Sequence, residues 1–274
     1  MRGRVRWVVT VMWVVLIGSS LSQVGVSVQD FTVQDFTVLL EGFQTQAKLT
    51  VPSGKTGPFA TVLLLHAGYP SDMDASFLEN GSVISKNFKL ISDVLSAQGF
   101  AVARYNKRFV TSATLVDQVR YDRLRIKDFV ADARAVLEVL RTNRTVDARR
   151  VFVLGWSEGA LVATRLALEG ADLRGLVLIG APVLIQGQDS GLLEQAARLR
   201  LPVFVLQGLL DAITPPEQTK RLEAALVKTD LTLKYYPGLG HGLGPLAEPL
   251  NSEFAPTDRQ PLEDLTVWLN RIGQ

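Results

Sequence analysis

"RVFVLGWSEGALVATRLALEG", residues 150–170, decides how this chain is read. An apolar run, Val151 to Leu154, ends at a glycine. Ser157 then stands between Gly155 and Gly159, and Leu161, Val162, Ala163 and Leu166 follow at the spacing of one buried helix face. G-x-S-x-G alone arises by chance in about one chain of this size in ten. A strand before it and a helix after it make the motif specific. Small residues on both sides let neighbouring backbones approach a serine held at a sharp strand-to-helix turn. A serine that merely caps a helix explains the helix but not the two glycines. The stretch therefore predicts a nucleophile at Ser157, with the N–H of Glu158, at the helix N-terminus, placed to donate to a developing oxyanion.

The apolar runs around it set the fold class. "TVLLLH" (61–66), "AVARY" (101–105), "GLVLIG" (175–180), "PVFVL" (202–206) and "LTLKYY" (231–236) join 151–154 as six short strands. Most lack alternation, as strands buried on both faces of a parallel sheet do. Residues 35–51 read as a leading antiparallel pair, "FTVLL" and "QAKLTV". Helical patterns lie between the runs, through Ile126, Phe129, Val130, Ala133, Val136, Leu137 and Leu140, and through Phe88, Ile91, Val94 and Leu95 with a stop at Gly99. A final amphipathic helix carries Pro261, Leu262, Leu265, Trp268, Leu269 and Ile272. The class is α/β, a mostly parallel sheet of about eight strands with helices on both faces.

A serine hydroxyl needs a base to take its proton. The chain has two histidines, His66 and His241, and only His241 lies beyond Ser157. It sits in "YPGLGHGLG", directly after the last strand, and is assigned as the base. The acid is expected after the penultimate strand, where "PVFVLQGLLDAITPPEQ" places Asp211 before a turn. Asp189, Asp230 and Glu248 are rivals less well placed along the chain. His66 ends the first buried strand and is read as structural, hydrogen-bonding the loop after it. That loop supplies the second oxyanion donor, the backbone N–H of Gly68, with Tyr69 as the alternative.

Composition narrows the chemistry. The chain has 274 residues, 47% of them hydrophobic, so one large core is within reach. A net charge of +2 argues against nucleic acid as partner. With no cysteine and two histidines, thiolate chemistry is excluded and a multi-histidine zinc site nearly so; no cofactor and no metal is expected. "MRGRVR" and the apolar run Trp7–Gly18, followed by "SSLSQ", describe a secretory signal peptide over residues 1–22, cleaved near 22–27. Residues 28–274 then form a single domain, secreted or periplasmic, without membrane contact after cleavage. An uncleaved N-terminal membrane anchor is the alternative, although about 20 apolar residues usually span a bilayer. The tandem "VQDFTVQDFTV" (28–38) reads as a local duplication lengthening the leader before the first strand. The oligomeric state is not legible.

With these residues in view, the chain resembles the α/β-hydrolase superfamily, and within it bacterial esterases of the dienelactone-hydrolase-like and serine-aminopeptidase-like groups. "HAGYPSDMD" (66–74), "RYNKRFV" (104–110), "GWSEG" (155–159) and "PGLGH" (237–241) carry the likeness. The resemblance implies an α/β-hydrolase fold, a Ser157–His241–Asp211 triad and hydrolysis of carboxylic esters through an acyl-enzyme. It departs at Ala67 and Tyr69, which replace the first and second glycines of the family's loop and are expected to narrow or reshape it, at Asn106, where an acid is usual and a local Asp–Arg pairing is expected to be lost, and at Met73, in place of an arginine. These departures bear on substrate more than on the triad. A serine peptidase or acyltransferase, or a non-catalytic binding protein of the same fold, are the other readings. About twenty residues join "GLVLIG" to "PVFVL", enough for one helix packed on the sheet and no large cap. The expected site is an open cleft near Tyr69 and Trp156 that favours short acyl chains on a small-molecule ester.

Overall fold

The computed structural model describes residues 7–10, 31–66, 68–247 and 252–273. Its main sheet contains β1 (Phe31–Leu40), β2 (Phe43–Pro52), β3 (Phe59–Leu65), β4 (Ala101–Tyr105), β5 (Val146–Trp156), β6 (Gly175–Ile179), β7 (Val203–Gly208) and β8 (Leu231–Tyr236). Their spatial order is β1-β2-β4-β3-β5-β6-β7-β8. The first pair and the β2–β4 contact are antiparallel, and every later pairing is parallel. Between the strands run α1 (Asn87–Ala97), the single turn α2 (Gln118–Tyr121), α3 (Ile126–Arg141), α4 (Glu158–Leu168), the short α5 (Leu192–Ala196), α6 (Pro216–Ala225) and the terminal α7 (Arg259–Gly273). The leader read over residues 1–22, with its cleavage near 22–27, lies outside the described residues apart from Trp7–Thr10, which pairs antiparallel with β1. No described helix is long and apolar enough to cross a membrane.

The unbroken apolar strands follow from burial on both faces. Every residue of β3 is buried, and alternate side chains feed opposite layers. Leu63 and Leu65 join Val153, Leu161 and Leu137 under α3 and α4. Val62 and Leu64 join Phe152, Phe88 and Trp268 under α1 and α7. α7 buries Leu262, Leu265, Trp268, Leu269 and Ile272, the face its spacing predicts.

The tandem repeat corrects the leader reading. β1 starts at Phe31 and takes up the end of the first copy and all of the second, in continuous register from Phe31 opposite Pro52 to Leu40 opposite Phe43. A repeat of five is odd against a strand period of two, so equivalent residues point to opposite faces. Phe36 is 2% exposed in the core, while its twin Phe31 is 37% exposed. The duplication thus lengthens β1, which pairs with Trp7–Thr10 on one side and with β2 on the other.

Between β6 and β7 the chain forms a small hairpin (Leu184–Ile185 with Gln188–Asp189) and then α5, whose Leu192 and Ala196 are buried in the core. No large cap is inserted there. A second hairpin, Ser76–Glu79 with Ser82–Lys86, follows β3 and was not anticipated from the pattern of apolar residues.

Candidate active site

The candidate residues all stand on loops at the carboxyl ends of parallel strands, where an open α/β sheet forms its crevice. Gly68 follows β3, Ser157 follows β5, Asp211 follows β7 and His241 follows β8.

The turn at Ser157 is built by what its neighbours lack. Ser157 has φ 55° and ψ −124°, a positive φ that costs a non-glycine residue about 1–3 kcal/mol. A Cβ on Gly155 would lie 2.3 Å from the carbonyl oxygen of Gly159, and one on Gly159 would lie 2.2 Å from that of Leu65. Both contacts are backbone, so neither can yield by rotating a side chain. The Ser157 N–H donates to the Ile179 carbonyl at 2.8 Å, which ties the turn to the end of β6.

Asp211 and His241 meet directly. The Asp211 Oδ2 and His241 Nδ1 atoms are 2.9 Å apart, and both side chains are buried. Asp211 Oδ1 accepts the N–H groups of Ile213 at 3.0 Å and Thr214 at 2.7 Å. Its Oδ2 also accepts from the Gln207 amide at 3.2 Å. Gln207 is itself fixed, donating to the Thr214 carbonyl and accepting the Thr219 hydroxyl at 2.6 Å. This acceptor-rich pattern suits an ionised carboxylate held in one orientation. Gly180 lies against the pair: a Cβ there would stand 2.9 Å from His241 Nδ1 and 3.2 Å from Asp211 Oδ2. Neither Gln207 nor Gly180 was legible beforehand, because each acts across a strand boundary and shares no motif with Ser157.

His241 is also held from behind. Trp156 donates its indole N–H to the His241 carbonyl at 3.0 Å, and its ring lies 5.7 Å from the imidazole. The His241 N–H donates to Glu253 Oε2 at 2.7 Å.

The Gly68 loop is pinned against the start of α4. A Cβ on Gly68 would lie 2.2 Å from Glu158 Oε2, so this loop passes directly over the glutamate that opens the helix. The Lys107 ammonium donates to the Tyr69 carbonyl at 3.1 Å and to the Tyr121 hydroxyl at 2.9 Å. It lies over the Phe129 ring at 4.6 Å, a cation–π contact. Burial pushes Lys107 down from 10.5 to about 7, while the charge of Glu158 pulls it back up. His66 is buried between the rings of Phe88 and Tyr105, with Nε2 3.0 Å from the Asp72 carbonyl. Burial, then the charge of Lys107, lower it to about 3. His66 is therefore neutral, and its ring bonds the loop carbonyl of Asp72, whereas Asp211 pairs with His241.

Aromatic rings form one wall. Tyr69 packs edge-on to Phe77, Phe254 and Trp156, and Phe77 stacks on Phe254. Phe77 belongs to the unanticipated hairpin, so this wall extends beyond the Tyr69 and Trp156 pair expected. The departures at 106 and 73 also have partners. Asn106 accepts the Met73 N–H at 2.7 Å and donates to the Thr111 carbonyl. The pairing expected to be lost with the acid at 106 is supplied elsewhere: Arg104 bonds Asp74, and Arg108 forms a buried pair with Asp132. Ala67 lies outside the described residues. Among the described residues no group of three or more His, Asp or Glu could hold a metal.

Comparison with known proteins agrees with this fold. The family profile described as "Alpha/beta hydrolase domain" matches residues 61–253. Esterase EstD of Thermotoga maritima is 37% identical over 136 residues, covering 49% of this chain and 30% of that protein. The chain thus spans less than a third of EstD. Among solved structures, the dienelactone hydrolase-like promiscuous phosphotriesterase P91, from metagenomic libraries, superposes with a TM-score of 0.63 at 19% identity, covering 88% of this chain and 97% of P91. A puromycin-hydrolysing peptidase of Mycobacterium tuberculosis gives 0.67 at 18% identity, over 92% of this chain and 41% of the peptidase. At these identities both structures bear on the fold alone.

Proposed function

The chain belongs to the alpha/beta hydrolase family, and from that membership we propose that it is a serine hydrolase of carboxylic esters, with Ser157 as nucleophile, His241 as general base and acid, and Asp211 as the orienting carboxylate. The observation that carries this reading is the buried 2.9 Å contact between Asp211 Oδ2 and His241 Nδ1, on a histidine whose carbonyl is bonded by Trp156, the residue before a serine in a strained turn. With Nδ1–H committed to Asp211, the lone pair that can accept a proton is on Nε2.

Ser157 Oγ attacks the ester carbonyl carbon as its proton passes to His241 Nε2. The carbonyl π pair moves onto oxygen, and the oxyanion is received by the N–H of Glu158 and that of Gly68, with Tyr69 the alternative. The tetrahedral species collapses, the C–O bond to the alcohol breaks, and His241 returns its proton to the leaving oxygen. Water then repeats the sequence on the acyl-enzyme, releasing the acid and restoring Ser157. The fixed N–H groups of Ile213 and Thr214 keep Asp211 aligned while the imidazolium exists.

The same site can hydrolyse amides, and the peptidase neighbour shares its fold; acyl transfer differs only in what deacylates the enzyme. The lack of a large insertion between β6 and β7, and the core position of α5, support small esters with short acyl chains. Each buried methylene adds about 0.8 kcal/mol, and an open cleft stops collecting it after a few carbons. A chain-length series of p-nitrophenyl esters beside aminoacyl anilides tests this. We expect kcat/KM to peak between acetyl and butyryl, with anilides far slower. A constant still rising at ten carbons, or anilides preferred, overturns the ester reading in its detail.

A further inference from the structure

We infer that Glu253 is a positioning residue that clamps the acid loop to the histidine loop and so sets the alignment of Asp211 with His241. This rests on the reading of Asp211 and His241 as the charge pair of the proposed reaction. Glu253 lies beyond the last of the four stretches that carry the family likeness, in "NSEFAPTD" (251–258), and belongs to neither loop that it joins.

Its carboxylate divides between them. Oε1 accepts the Ala212 N–H at 2.9 Å, and Oε2 accepts the His241 N–H at 2.7 Å. The Glu253 carbonyl accepts the next N–H along, that of Gly242, at 2.7 Å. On the acid loop, three successive N–H groups are thus shared between two carboxylates: Ala212 goes to Glu253, and Ile213 and Thr214 go to Asp211. The backbone flanking each member of the pair is thereby fixed to one rigid, planar group. Bonds between a backbone N–H and an ionised carboxylate are about twice as strong as neutral ones. Gly240 supplies the room: a Cβ there would stand 2.6 Å from Glu253 Oε2.

The segment carrying Glu253 is anchored separately. The Thr257 hydroxyl donates to the Gly242 carbonyl, the Thr257 N–H donates to Asn87 Oδ1, and Asn87 donates to the Ala255 carbonyl. Losing the carboxylate therefore leaves the segment in place and removes the tie between loops. The consequence is a small misplacement of the imidazole relative to Ser157, the kind of error that can cost about a hundredfold in rate.

The test compares wild type, Glu253→Ala and Glu253→Gln on a short p-nitrophenyl ester, with active sites counted by burst titration. Alanine is expected to lower kcat per active site by about 10- to 100-fold with KM within about twofold. Glutamine keeps one carbonyl acceptor and turns an amide N–H₂ toward the other N–H, so it should fall between the two. The proton shared by His241 and Asp211 gives a strongly downfield NMR resonance, read without substrate; it should broaden or move upfield in the alanine variant and recover in part with glutamine. A wild-type kcat per active site together with an unmoved resonance overturns the clamp, as does a glutamine variant no better than a folded alanine one. If Glu253→Ala fails to fold, Glu253→Gln with wild-type kcat and resonance overturns it equally. Loss of turnover in the wild type itself, with the resonance still responding to Glu253, would instead fault the hydrolase reading.

Discussion

The residue before the proposed nucleophile holds the proposed base: Trp156 donates its indole N–H to the carbonyl of His241 at 3.0 Å, so the end of β5 and the loop after β8 share a bond. Both residues are buried.

Trp156→Phe keeps an aromatic ring but removes that donor. A buried carbonyl left without a partner costs about 1–3 kcal/mol. Urea titration should show a loss of that size, and kcat should fall together with it because the histidine loop is freed. Unchanged stability and rate would mean the bond is incidental.

Ser157→Gly should be more stable than wild type by about 1 kcal/mol, because glycine takes a positive φ without strain. Ser157→Ala keeps the Cβ and should remain near wild type. Both should be inactive. Denaturant midpoints measured in parallel separate the two, and a glycine variant less stable than the alanine one would contradict a strained turn.

Gly159→Ala meets backbone rather than a movable side chain, at 2.2 Å from the Leu65 carbonyl oxygen. Overpacking of this kind costs about 3 kcal/mol or more, above the usual effect of an alanine in a helix, which is favourable. Thermal melts should show a large loss in spite of the better helix former. A stabilised Gly159→Ala protein would show that α4 does not approach β3 so closely.

His66 carries a pH dependence with a definite sign. Its folded value of about 3 lies below the ordinary 6.5, so between these limits the unfolded chain binds a proton that the native protein does not. Stability from this group is therefore complete above 6.5 and is lost as pH falls toward 3. The slope can reach about 1.4 kcal/mol per pH unit. The difference in unfolding free energy between wild type and His66→Gln, followed from pH 7 to pH 4, should move in favour of the variant as acid is added. A difference that stays flat would mean His66 is protonated in the fold.

The strands and the candidate site residues were legible for the same reason: each is announced locally. Val151 to Leu154 run unbroken because both faces are covered, and Gly155 and Gly159 mark a turn that any side chain would block. Asp211 and His241 could be placed because chain order and strand ends restrict them. Glu253, Gln207 and Gly180 were not legible, since a carboxylate that accepts N–H groups from positions 212 and 241 leaves no spacing of its own. The hairpin over Ser76–Lys86 escaped because its strands, four and five residues long, are too short to show alternation, and its signal lies in the turn Asn80-Gly81, both at positive φ, rather than in an apolar run. The start of β1 was misplaced because a period of five looks foreign to a strand until Phe31 and Phe36 are seen on opposite faces.

The proposed chemistry requires that Ser157 be the group activated by His241. Treating the full chain with a fluorophosphonate and mapping the adduct by mass spectrometry measures this directly, without choosing a substrate. We expect one adduct per chain, on Ser157, absent in Ser157→Ala and strongly slowed in His241→Ala while His66→Gln still labels. An unlabelled wild type, an adduct on another residue, or labelling of His241→Ala at the wild-type rate would contradict the proposed chemistry.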